Sequence, residues 1–89
     1  MHQNTGIHGG AKEVLHMDAQ TVEATIKVFL QTMRERLEDA ASIAKAAEIC
    51  SNDGNVPKGV EIALDVEQLI YEASTLLNAA SLINRLGKT

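Results

Sequence analysis

The sequence predicts an all-α fold: a long two-helix antiparallel hairpin, with helices over about 19–50 and 58–86, that dimerises into a four-helix bundle. Three observations lead there. Ile62, Val66, Leu69, Ala73, Leu76, Ala80 and Ile83 recur at alternating spacings of four and three, which sets them on one side of a helix. Val22, Ile26, Phe29, Met33, Leu37, Ala40, Ala44 and Ala47 do nearly the same. Between the two stripes, Ser51-Asn52-Asp53-Gly54-Asn55-Val56-Pro57-Lys58-Gly59 is the strongest turn signal in the chain.

Each element has its own local reasons. Residues 1–17 hold His2, Asn4, Gly6, His8, Gly9 and Gly10 with little periodicity, and are expected to form a flexible N-terminal arm ahead of a hairpin domain at 18–89. Asp18 is a good N-cap, and Glu23 suits the positive end of the helix dipole. From Ala19 to Cys50 there is neither Pro nor Gly. The polar side of this segment pairs Glu23 with Lys27 and Arg34 with Glu38 at i, i+4 spacing, which marks a solvated face. The second helix is expected to begin near Val60, or earlier with Pro57 in its first turn, and to end near Leu86, with Gly87 as cap.

Folding the chain about Asn55 sets residue i opposite about 110 − i. Ala47 then meets Ala63, Ala40 meets Ile70, Leu37 meets Ala73, Met33 meets Leu77 and Leu30 meets Ala80. Large side chains mostly oppose small ones, as interdigitation requires. The end away from the turn, with Phe29, Met33, Leu76, Leu77 and Ile83, carries more apolar bulk than one hairpin can hide. Eighty-nine residues with a single cysteine cannot supply an intramolecular disulfide, so self-association is the expected source of stability. Phe29, Met33, Leu37, Leu69, Leu76, Leu77, Ala80 and Ile83 are the expected core. Ala73 to Asn84 contains no charge at all, and Tyr71, Ser74, Asn78 and Ser81 are the expected second contact surface.

Composition removes several function classes. Eight Lys+Arg against twelve Asp+Glu give a net charge of −4, which disfavours a nucleic-acid surface. One Phe and one Tyr leave no base-stacking platform. No run of eighteen apolar residues exists, and the N-terminus lacks the basic-then-apolar order of a signal peptide. The chain is read as cytoplasmic with Cys50 reduced. The helices are about twice too long for tetratricopeptide units.

Chemistry-bearing patterns are weak. Glu13-Val14-Leu15-His16 matches the Glu-x-x-His spacing of carboxylate-bridged di-metal bundles, but it occurs once and the stripes hold no carboxylate. His2, His8 and His16 sit in the arm without an ordered second shell. Cys50 has no histidine after His16 to act as its base. Asp53-Gly54-Asn55 is explained by a turn rather than a calcium loop. Arg36 falls in phase with the apolar column, so it either reaches solvent along its stem or pairs with Asp39 or with a carboxylate of another subunit. The expected function is a small non-enzymatic helical protein that self-associates as a homodimer and acts as a protein-interaction or regulatory module. No cofactor, metal, nucleic acid or membrane is expected. The alternative is a metal-binding or catalytic bundle using Glu13 and His16 with Glu67 or Glu72.

Overall fold

The computed structural model describes residues 18–87, and these are helical throughout except at two turns. Helix α1 spans Ala19–Asn52, α2 spans Val56–Ala63 and α3 spans Val66–Gly87. With 34 residues, α1 is about 50 Å long. The arm expected over residues 1–17 lies outside the described residues.

Helix α1 begins where the sequence places its cap. The Asp18 carboxylate accepts a hydrogen bond from the Thr21 backbone N–H at 2.7 Å. That bond satisfies one of the donors a helix start leaves open. It also holds the Asp18 carboxyl below its usual pKa, because the charged form is the better acceptor. The sign follows: the cap is fully formed above the ordinary carboxylate range and is lost as pH falls through the lowered value. Acidification should therefore fray the first turn, and amide exchange at Thr21 and Val22 should speed up first. An Asp18→Ala variant should exchange fast there at every pH.

The connection to α2 is a Schellman motif followed directly by a second cap. Gly54 lies in the left-handed region, at φ +103°, which a side chain would strain. The Gly54 N–H donates to the Ser51 carbonyl at 3.0 Å and the Asn55 N–H to the Cys50 carbonyl at 3.2 Å. These two bonds close α1. Asn55 then turns from acceptor-seeking to capping: its side-chain oxygen accepts from the Lys58 N–H at 3.1 Å. Pro57 sits in the first turn of α2, where its missing N–H costs nothing. The ion pair of Lys58 with Glu61, 2.7 Å, raises the ammonium pKa and lowers that of the carboxyl.

The second arm of the hairpin differs from the expected single helix over 58–86. It starts at Val56 and is interrupted at Leu64–Asp65. There the Asp65 N–H reaches only to the Ile62 carbonyl and the Glu67 N–H to Leu64, i→i−3 bonds of 3.2 Å that overwind the chain for one turn. Neither proline nor glycine marks the spot, and the apolar period runs through it unchanged.

Helices α2 and α3 both pack back along α1. Gly87 lies against Val22, Glu72 pairs with Arg36, and Gly59 abuts Ala47. These contacts fall one to four residues short of the 110 − i relation, within one helical turn. Val22, Ala40 and Ala47 of α1 and Ala73 and Ala80 of α3 line the seam, and all five are between 4 % and 8 % exposed. Four of the five are alanines, so the two arms come close together but bury little bulk. On α1 the seam is entered by Arg36 and Ile43, each four residues before a buried alanine, while Leu37 and Ala44 of the expected stripe are exposed. Among the described residues no helix is long and apolar enough to cross a membrane.

Candidate interaction surface

The hairpin has one layer. No side chain among the described residues is completely buried, and Phe29, Met33, Leu69, Leu76 and Ile83 are each half-buried. Ala80 is buried. Of the other residues expected in the core, Leu37 is 42 % exposed and Leu77 52 %. Tyr71, Ser74, Asn78 and Ser81, expected in a second contact surface, are all exposed.

The exposed apolar residues are ordered. Leu30, Leu37 and Ala44 follow the seam residues Ile26, Met33 and Ala40 by four positions. Ala63, Ile70 and Leu77 follow Gly59, Val66 and Ala73 by the same step. Four residues is slightly more than one turn, so each lies just round the helix from the seam. Because the two arms run antiparallel, the same step on each leads to the same broad side of the hairpin. That side therefore carries two apolar rows with seven-residue spacing. Leu30 and Ile70, at 42 % and 43 % exposed, are as open as Leu37. The two rows themselves hold no charge, and this side is charged only at its rim, where Lys27, Arg34 and Glu67 each stand one residue beyond the seam positions Ile26, Met33 and Val66. Glu23 and Glu48 bound it at its two ends.

The opposite broad side is polar. Arg36 Nε donates to Glu72 Oε1 at 2.9 Å, and Gln68 Nε2 donates to Glu72 Oε2 at 3.0 Å. Arg36 thus finds its carboxylate within the chain and across the seam, not at Asp39 or in another subunit. It is the one ion pair joining the two arms among the described residues. Both side chains remain more than a third exposed, so the pair contributes at most about 1 kcal/mol and chiefly fixes register. Beside it a shallow cavity of about 300 Å³ is lined by Thr32, Arg36, Tyr71, Glu72, Thr75 and Leu76. Its two charged groups are already spent on each other.

Other chemistry is sparse. Among the described residues no three His, Cys, Asp or Glu side chains come together as a metal site would require. Glu13 and His16 lie outside the described residues, Glu67 is exposed, and Glu72 is engaged by Arg36 and Gln68. Cys50 is half-buried, with its thiol 3.7 Å from the Asn55 carbonyl. Leu64, Tyr71 and Leu82 of the second arm are also exposed, Tyr71 at 67 %.

The arrangement defines a class, a helical hairpin with one polar and one apolar broad side. No protein-family model matches the chain, and neither the curated proteins nor the solved structures hold a match to it.

Proposed function

We propose that this is a small non-enzymatic protein that self-associates through its apolar side, as a homodimeric four-helix bundle, and serves as a protein-interaction or regulatory module. The observation that carries this reading is the mismatch between chain ordered and bulk buried. Among the described residues only Val22, four alanines and Gly59 are well buried. Fixing each residue costs about 1–2 kcal/mol of conformational entropy, and an alanine seam returns little of it. Large apolar side chains stand half out of the hairpin, where covering them would return more. Helix α3 carries only Glu67, Glu72 and Arg85 as charges in 22 residues. A helix apolar on several sides is built to be surrounded.

Size-exclusion chromatography with light scattering tests the reading. The expected mass is twice the 9.6 kDa of one chain at micromolar concentration. A folded, helical monomer under those conditions would overturn it.

A further inference from the structure

We infer that the second copy sits face to face on the Leu30–Leu37–Ala44 and Ala63–Ile70–Leu77 rows, related by a two-fold axis that crosses the helices at right angles between Leu37 and Leu37 of the partner subunit. The inference rests on the self-association proposed above and specifies its surface and geometry.

Side-chain size is the first argument. Each row is bulky toward the open end of the hairpin and small toward its turn: Leu30 against Ala44 on α1, Leu77 against Ala63 on the other arm. A two-fold centred on Leu37 brings Leu30 over Ala44 of the partner subunit and Met33 over Ala41 of the partner subunit. The register of the hairpin sets Ile70 level with Leu37, within about one residue, so the same axis passes through Ile70. It then brings Leu77 over Ala63 of the partner subunit. Leu30, Met33 and Leu77 each find an alanine, as close packing between helices requires, while Leu37 and Ile70 meet their own copies at the axis. The rival two-fold, parallel to the helices, stacks α1 on the partner's α3 with both hairpins pointing the same way. That would set Leu30 on Leu77 of the partner subunit and Ala44 on Ala63 of the partner subunit, crowding one end and leaving the other hollow.

Charge and area agree with the first arrangement. It carries Lys27, on the rim of α1, to within one residue of Glu48 of the partner subunit. Opposite charges at a rim favour one register and one partner. The apolar stretch from Ile26 to Ala47 is about 30 Å long and two helices wide, of order 600 Å² per copy, which reaches the lower range of stable interfaces. The Arg36–Glu72 side stays in water, where its charges need no partner.

Cysteine cross-linking in a Cys50→Ser background separates the possibilities. Leu37→Cys is expected to form a disulfide with its own copy under mild oxidation, as is Ile70→Cys, whereas Leu82→Cys is not. Cross-linking only when Leu37→Cys is mixed with Ile70→Cys would overturn the axis while leaving self-association intact. A dimer that cross-links through Leu82→Cys alone would overturn the face. Complementary charges at Leu37 provide a second readout that survives poor folding of a variant. Leu37→Glu and Leu37→Lys should each lose the dimer mass at micromolar concentration, and mixing them should restore it as a heterodimer. Retention of the dimer by either variant alone would overturn the inference.

Discussion

Replacing Gly59 by valine is expected to lower the melting temperature by about 10 °C. Gly59 lies in α2 where that helix crosses the end of α1. A Cβ there would stand 2.8 Å from the Ala47 carbonyl oxygen and 3.1 Å from Ser51 Cβ. The first neighbour is backbone and cannot swing aside, so the helices must part. Overpacking of this kind typically costs about 1–3 kcal/mol, and each kcal/mol moves the midpoint of a small protein by several degrees. Gly59→Ala is the sharper comparison. In an open helix, alanine would stabilise by up to about 1 kcal/mol over glycine. Here the contact should cancel that gain and reverse it. A thermal melt in which Gly59→Ala is more stable than the natural chain would show that the two helices do not approach this closely.

The second large effect is on concentration. If burial of the apolar rows supplies the missing stability, unfolding and dissociation are one process, and the melting temperature must depend on dilution. A hundredfold dilution weakens such a dimer by RT ln 100, about 2.7 kcal/mol. For a dimer of this size that corresponds to roughly 5–10 °C. Circular dichroism melts across that range should shift by this amount, with loss of helix and loss of dimer mass coinciding. A midpoint independent of concentration would mean that the hairpin stands on its alanine seam alone.

How much of this was legible beforehand follows from the physics of each signal. The stripe from Ile62 to Ile83 was readable because every member is at least half-buried, and apolar residues at helical spacing have few other uses. The turn was readable because Gly54 and Asn55 each perform a job that few residues can. The register was readable to within a turn, since size matching constrains it only that closely. Three features were not. The overwound turn at Leu64–Asp65 leaves no mark in residue type. On α1 the apolar pattern runs through Leu37 and Ala44, because apolar residues on two adjacent helix positions compete and the pattern cannot tell seam from flank. Arg36 could be placed near the seam, but its carboxylate could not, because Glu72 is 36 residues away and becomes a neighbour only once the register is known. The candidate surface was present in the sequence as two heptad rows, each one step beyond the seam. Its leucines read as core because a single chain's pattern does not separate a buried seam from an exposed flank.

The self-sufficient turn between α1 and α2 has a kinetic consequence. Its bonds from Gly54, Asn55 and Lys58 each span no more than five residues and borrow nothing from the rest of the molecule. Closing so short a loop costs little entropy, and chains dominated by near neighbours fold quickly. The hairpin should therefore nucleate at Gly54 and zip outward, with Ala47 and Gly59 engaging early and Val22 meeting Gly87 last. Substitutions near the turn should slow folding, and those at the open end should mainly hasten unfolding.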